Sequence, residues 1–289
     1  MDILRGIRVV NLALNLPGPL AANRLAHMGA EVIKVEPPAG DPMELYSAAW
    51  YREMAAGQEL VRLDMKTPEG QARCGELFAG ADLLITSNRP SVLARLHIDW
   101  ETLHPRFPTL CQVAIFGYPE PRGDVAGHDL TYQAALGLLY PPNLPRTLLA
   151  DMAGAERAVS TALGLLFARE RFGRSGFAKV VLSDAALEAA APLRYGLTRP
   201  GGLFGGGSPE YNIYPAKDGF VAVAALEPRF RERLFAYLGG VSTAGELSTI
   251  FASRNADEWE RLGEEVDIPI VKVLAAEGTY VADRRRWRR

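Results

Sequence analysis

The first two thirds of the chain alternate between short apolar runs and segments in which apolar residues recur at helical spacing. Residues 7–12 and 31–36 are short runs rich in Val and Ile, which is typical of buried parallel strands. Between them we predict a helix from Pro19 to Gly29, since proline is tolerated in a first turn and glycine favours termination. The alternation continues to about residue 198. It predicts an α/β fold with an open, mostly parallel, Rossmann-like sheet.

The pattern changes after residue 198, where glycine and proline become frequent. Residues 199–219 contain six glycines and three prolines, a composition typical of a mobile loop or a linker between domains. A strand-like run follows at residues 220–226, and helical patterns follow at residues 227–239 and 255–266. We therefore predict a large domain of residues 1–198 and a smaller α+β domain of residues 199–289.

Composition and charge narrow the classes of function. Lys plus Arg number 32 against 34 acidic residues, so the net charge of -2 gives no support to nucleic-acid binding. The two cysteines have no metal-ligand spacing and indicate a reducing compartment. The first residues lack a signal-peptide pattern, and no apolar stretch approaches membrane-spanning length. We expect a soluble, cytoplasmic protein with neither nucleic acid nor membrane as a partner.

The turn after the first strand argues against a dinucleotide cofactor, although Glu36 ends the second strand where a ribose-binding acid could lie. Its sequence, NLALNLPGPLAA, contains only Gly18 and lacks the G-x-G-x-x-G that lets a backbone approach a pyrophosphate. The G-K-[ST] of a phosphate-binding loop is missing from the sequence too. We expect neither a metal nor a redox cofactor.

Three polar residues beside predicted helix starts are candidates for chemistry. His128 either ends a loop, with Asp129 capping the next helix, or acts as a general base kept neutral by the helix dipole. Asp151 either caps the long helix that follows or lies at the edge where open α/β sheets build their sites. Glu227 precedes Pro228 near another helix start, where the negative charge of an exposed carboxylate interacts favourably with the helix dipole. Spacing alone favours the structural interpretation of each.

Motifs spread over nearly the whole chain occur together in one order. They are LRGIRVVNL, LPGPLAANRLAHMGAEVIKVEPPAGDP, LDMKTPEGQ, ADLLITSNRPSVLARL, AGHDLTYQAALGLL, LLADMAG, GGGSPEYNIYPAKDGFVAVAALEPRF and DEWERL. In this the sequence resembles the class III CoA-transferase family (the L-carnitine dehydratase and bile-acid-inducible type), and within it the α-methylacyl-CoA racemase branch. The resemblance implies an enzyme that acts on acyl-CoA thioesters and works as a homodimer.

The resemblance also implies roles for the three candidates. In the racemase branch, the residues that match His128 and Asp151 are bases on opposite sides of the acyl α-carbon, and the one that matches Glu227 supports the histidine. In the transferase branch, the residue that matches Asp151 attacks the thioester, forms a mixed anhydride and releases CoA thiolate. The presence of His128 favours the racemase interpretation, in which the enzyme moves the α-proton of a 2-methylacyl-CoA. Transfer of CoA between carboxylic acids is the alternative.

Both reactions need supporting groups. A racemase must stabilise an enolate oxygen, and we expect support from the backbone N–H near Met152 and from Asp129. A transferase needs a lid that excludes water from the anhydride. The candidates for the lid are Gly205, Gly206 and Gly207, for which a plain linker is the other interpretation.

The sequence departs from the family pattern in the basic segments that serve CoA phosphates. Residues 51–66 keep Arg62 but lose most of the positive charge, and Met43 and Glu44 stand where an arginine is expected. Arg89, Lys34 and Arg62 remain as candidates for CoA binding. Family chains also continue past residue 289, so we expect a shortened second domain or a less interlocked dimer. An inactive homologue that binds CoA esters is therefore a second alternative.

Overall fold

The protein consists of two compact units, which meet in sequence between Ala191 and Pro192, a few residues before the predicted boundary. A computed structural model describes residues 2–274. Within these residues, no helix combines the length and the apolar character needed to cross a bilayer.

The first unit is built on a six-stranded sheet in the order β3-β2-β1-β4-β5-β6. Every neighbouring pair in it is parallel. The strands are β1 (Arg8–Asn11), β2 (Glu31–Glu36), β3 (Glu59–Arg62), β4 (Leu83–Thr86), β5 (Cys111–Phe116) and β6 (Phe177–Val181). The predicted Rossmann-like α/β fold is confirmed, and the strand order changes direction between β1 and β4.

Helices cover both faces of this sheet because its strands carry apolar residues on both sides. Val9 packs in a core with Leu25 and Ala158, and its neighbour Val10 packs in a second core with Leu77. The helices are α1 (Pro17–His27), α2 (Met43–Tyr46), α3 (Ala48–Ala55), α4 (Pro68–Ala79), α5 (Pro90–Arg95), α6 (Trp100–Leu103), α7 (Asp129–Ala135), α8 (Leu149–Phe172) and α9 (Leu182–Ala189). Gly173 ends α8, with the left-handed φ of 65° that glycine adopts without strain.

The second unit contains a three-stranded antiparallel sheet in the order β7-β8-β9. Its elements are α10 (Ala191–Arg194, which begins at the boundary), a π-type turn (Leu203–Gly207), β7 (Tyr211–Ala216), β8 (Gly219–Ala224), α11 (Pro228–Tyr237), α12 (Ala244–Phe251), α13 (Ala256–Val266) and β9 (Ile270–Lys272). Trp259 and Phe251 lie at the centre of its separate core, with their rings 4.8 Å apart. The second unit is therefore the smaller α+β unit that the sequence indicated.

The parallel strands of the first unit all end at one edge of the sheet. The segments that leave β1, β4 and β5 there are residues 12–15, 87–89 and 117–118. Since β1 and β4 are neighbours, the crevice between their departing chains is the position at which open α/β sheets bind ligands.

Candidate active site

A cavity of about 290 Å³ opens at this edge of the sheet. Segments far apart in sequence form its wall, including the ends of β1, β4 and β5, the start of α7 and the first turn of α8. His128, Asp151 and Arg89 all line it. The fold therefore places three of the residues selected from the sequence on one cavity.

His128 is the residue immediately before α7, in an extended conformation with φ of -139°. Its backbone N–H donates to the Thr131 hydroxyl at 3.1 Å, and that hydroxyl donates to the His128 carbonyl at 2.7 Å. These two hydrogen bonds fix the position of the residue at the start of α7. The expectation that Asp129 caps this helix is wrong, because Asp129 is the first helical residue and His128 precedes it.

Asp151 lies inside the first turn of α8, since the helix already begins at Leu149. It is therefore not the capping residue that spacing alone favoured. Its carboxylate is half-buried and accepts no hydrogen bond within the described part of the chain. Burial and, second, the negative charge of Asp129 raise the pKa of Asp151 from 3.8 to about 7. A carboxyl group with this pKa exchanges a proton near neutral pH.

Asp129 is buried and holds the start of α8. One of its carboxylate oxygens accepts the backbone N–H of Asp151 at 3.0 Å, and the other accepts the side-chain amide of Gln133. An ionised carboxylate with both oxygens engaged in this way does not stabilise an enolate oxygen, which requires donors.

The backbone amide of Met152 is also engaged, because it donates to the Leu148 carbonyl at 2.9 Å. This hydrogen bond is the ordinary i to i−4 bond of a helix that begins earlier than the sequence predicted. The expected support of the enolate by Met152 and Asp129 is therefore corrected by the structure. Neither group offers a free donor to the cavity.

A second cavity, of about 660 Å³, lies beside the first, and Leu14 lines both. It has apolar walls with Lys66, Arg95, Asn88 and Gln71 among its polar residues. The side chains of Lys66 and Arg95 are exposed. These two cations lie in the sequence motifs LDMKTPEGQ and ADLLITSNRPSVLARL, which follow β3 and contain β4, but nothing in their spacing distinguishes them from other surface cations.

Lys34 does not serve as a phosphate contact in this arrangement. Its side chain is 2% exposed, and its ammonium group contacts Asp41 at 2.5 Å and Glu36 at 3.1 Å. The other carboxylate oxygen of Asp41 accepts the backbone N–H of Asn15 at 2.9 Å, and Asn15 lines the first cavity. The expected CoA contact by Lys34 is thus replaced by a buried ion pair that holds the loop after β1.

The other two basic candidates remain accessible. The Arg62 side chain is exposed and approaches a Glu36 carboxylate oxygen at 3.9 Å, too far for a hydrogen bond. Arg89 precedes α5 and lines the first cavity rather than the second. A role of either residue in CoA binding stays a prediction.

The second unit contains the remaining candidates. Glu227 is exposed and directly precedes α11, where its side chain makes no capping hydrogen bond. A supporting role for Glu227 stays a prediction.

The glycine-rich segment is a compact turn rather than an open linker. The N–H of Gly201 donates to the Gly205 carbonyl at 3.0 Å, and the N–H of Gly207 donates to the Gly202 carbonyl at 2.9 Å. A Cβ added to Gly205 would lie 1.8 Å from the Arg199 carbonyl oxygen, so this position has room only for glycine. The lid formed by Gly205, Gly206 and Gly207 stays a prediction as well.

Known proteins match this chain over most of its length. Its residues 4–288 match the model of CoA-transferase family III. Alpha-methylacyl-CoA racemase of Mus musculus is 32% identical, over 95% of this chain and 78% of that protein. Succinyl-CoA–D-citramalate CoA-transferase of Chloroflexus aurantiacus is 33% identical, over 75% of this chain and 60% of that protein.

Solved structures have the same fold. A hypothetical protein of Mycobacterium tuberculosis superimposes with a TM-score of 0.83 at 24% identity, covering 96% of this chain and 86% of that one. A CaiB/BaiF family protein of Brucella suis gives a TM-score of 0.78 at 21% identity, covering 94% of this chain and 84% of that one. The resemblance found in the sequence motifs is confirmed by the family match. The chain belongs to CoA-transferase family III and, like the members of that family, is an enzyme of acyl-CoA racemase or CoA-transferase type.

Proposed function

We propose that this enzyme moves the α-proton of a 2-methylacyl-CoA, with Asp151 and His128 as the two acid–base groups. One group removes the proton, the C–H electron pair forms a carbon–carbon double bond, and the thioester oxygen takes the negative charge. The other group then returns a proton to the opposite face of the α-carbon. Protons and electrons balance, so the reaction requires neither a metal nor a redox cofactor.

The observation that carries this proposal is the raised pKa of Asp151, which lines the same cavity as His128. Its pKa of about 7 suits a group that must be a base in one direction and an acid in the other. A nucleophile that attacks a thioester must be ionised, and a raised pKa lowers the ionised fraction. The raised pKa of Asp151 therefore favours proton transfer over acyl transfer.

The pair of adjoining cavities supports a bound CoA ester. We place the nucleotide in the larger cavity, where Lys66 and Arg95 are available to the phosphates and the walls are apolar. The pantetheine arm would pass Leu14, and the thioester would reach Asp151 and His128 in the smaller cavity.

Acyl transfer is the second candidate function, because the similar proteins include CoA-transferases as well as racemases. In that reaction the Asp151 carboxylate attacks the thioester carbonyl, the C–S bond breaks, and CoA leaves as the thiolate. An acceptor carboxylate then exchanges with the enzyme-bound acyl group, and CoA is returned to it.

Proton NMR in deuterated water separates the two functions. The wild-type enzyme is incubated with a 2-methylacyl-CoA, and a parallel tube also contains a free carboxylic acid. We expect loss of the α-proton signal and no new acyl-CoA in the parallel tube. The reverse result would establish the transferase, and no change in either tube would contradict both candidates and favour a CoA-ester-binding protein without turnover.

Variants then connect the result to the site. We expect Asp151→Ala to abolish either reaction, because both use its carboxylate. His128→Ala should abolish racemisation and leave any acyl transfer intact. His27→Ala, which removes an exposed histidine on α1 away from the cavity, is the matched control. Wild-type turnover by Asp151→Ala would refute the assignment of the site.

A further inference from the structure

Tyr132 lies one helical turn after His128, on α7, and lines the same cavity as His128 and Asp151. It is 2% exposed, and its ring packs edge-on against Tyr118 with the centroids 5.1 Å apart. Neither the comparisons nor the sequence motifs gave this residue a role. Of the two described aromatic residues that line this cavity, Tyr132 and Phe116, only Tyr132 carries a hydroxyl group.

Two glycines leave the space that the Tyr132 hydroxyl occupies. A Cβ added to Gly117 would lie 2.4 Å from its oxygen, and one added to Gly127 would lie 2.8 Å from it. Only glycine at both positions allows the phenol to lie where it does. Gly117 and Gly127 line the cavity as well, so the hydroxyl lies at the cavity wall.

The Tyr132 hydroxyl has no hydrogen-bond partner among residues 2–274. Buried tyrosine hydroxyls ordinarily have a hydrogen-bond partner, and a hydroxyl on a cavity wall can take one from the contents of the cavity. An acceptor supplied by a bound substrate would satisfy it. The hydroxyl can therefore donate a hydrogen bond to a ligand in the cavity.

The hydroxyl also keeps its proton. Burial, and then the neighbouring Tyr118 and Asp151, raise the pKa of Tyr132 to about 12. At neutral pH the group is a neutral donor that favours an oxygen with developing negative charge. The backbone amides of Asp151 and Met152 cannot serve this purpose, since both are already engaged.

We propose that the Tyr132 hydroxyl donates a hydrogen bond to the thioester carbonyl oxygen of the substrate and stabilises the enolate oxygen. This inference rests on the proposed function. When the α-proton leaves to the base, the carbonyl electrons move onto the oxygen that Tyr132 contacts, and Tyr132 keeps its own proton throughout. Since the donor is fixed before the substrate arrives, the interaction strengthens as charge develops.

The test compares Tyr132→Phe with Tyr118→Phe. Each variant loses one hydroxyl and keeps the aromatic pair, but only Tyr132 lines the cavity. For α-proton exchange we expect Tyr132→Phe to lower kcat about 100-fold with KM within a few-fold of wild type. Tyr118→Phe should stay close to wild type. Near-ultraviolet circular dichroism and a thermal melt establish that both variants are folded.

A binding measurement gives a readout that does not need turnover. The probes are 2,2-dimethylpropanoyl-CoA, which has a carbonyl and no α-proton, and S-neopentyl-CoA, in which a methylene group replaces that carbonyl. By calorimetry, the wild type and Tyr118→Phe should prefer the thioester several-fold. Tyr132→Phe should lose this preference.

Two results would overturn the role of Tyr132. One is a Tyr132→Phe enzyme with wild-type kcat, and the other is a folded Tyr132→Phe protein that keeps the preference for the thioester. Failure of the proposed function looks different, because the wild type would then show no α-proton exchange. The thioester preference decides the role of Tyr132 in that case too.

Discussion

Replacing Asp129 with asparagine tests whether a buried negative charge sets the protonation of Asp151. The Asp129 carboxylate is 3% exposed and accepts the backbone N–H of Asp151 at 3.0 Å. Asparagine has nearly the same shape, and its amide oxygen can accept the same hydrogen bond. The substitution therefore removes the charge and leaves the start of α8 in place.

The size of the effect follows from the two causes of the raised pKa. The pKa of Asp151 rises from 3.8 to about 7, and burial is a larger cause than the charge of Asp129. Asp129 thus accounts for less than half of the rise. We expect the midpoint of the pH profile in Asp129→Asn to fall by about one pH unit, which corresponds to about 1.4 kcal/mol.

The assay is kcat/KM for α-proton exchange between pH 5 and pH 9, with the substrate enantiomer whose α-proton Asp151 removes. The rate rises with pH as Asp151 ionises, so the lower pKa should shift the rising limb toward acid. Gln133→Ala is the control, because it removes a hydrogen bond to Asp129 and keeps the charge. An unchanged midpoint in Asp129→Asn, or an equal shift in Gln133→Ala, would refute the electrostatic explanation.

Two further predictions concern stability. Between pH 3.8 and about 7, Asp151 is protonated in the folded protein but ionised in the unfolded chain. The free energy of unfolding therefore falls as pH rises through this range, and the destabilisation is complete above pH 7. Asp151→Asn should therefore raise the free energy of unfolding at pH 8 by at most about 4 kcal/mol, measured as a higher Tm, and change it little at pH 3.5; equal effects at both pH values would contradict this. Lys34→Met should lower the free energy of unfolding at pH 7 by about 3–5 kcal/mol in urea, because Glu36 and Asp41 would be buried without their cation. An unaffected midpoint of urea unfolding at pH 7 would show that the buried ion pair is not needed for stability.

Apolar patterning was sufficient for most of the parallel sheet but not for its edge. The runs that became β1, β2, β4 and β5 are mostly buried and contain several apolar residues each, whereas β3 has the sequence ELVR and is mostly exposed. A short edge strand with charged residues has no periodicity that distinguishes it from a loop. It is stabilised by its neighbour β2, and that pairing exists only in the folded sheet.

The candidate site was also predictable only in part, because some of its contacts exist only in the folded chain. Motifs identified His128 and Asp151, but burial decided the outcome for Lys34, whose partner Asp41 is seven residues further along the chain. Tyr132 is four residues after His128, about one turn into the helix that His128 precedes. That spacing was available in the sequence. The close approach of Gly117 and Gly127 to its hydroxyl was not, because it joins separate loops.

The hydrogen bond between Asp129 and Asp151 has a consequence for how this enzyme can change. It joins the starts of α7 and α8 across residues 136–148, a largely exposed stretch in which Tyr140 is 78% and Leu144 is 75% exposed. Doubling the length of such a loop costs only about 0.6 kcal/mol of closure entropy. Evolution or a designer can therefore change this stretch, in length as well as in sequence, and leave the Asp151 carboxyl in place.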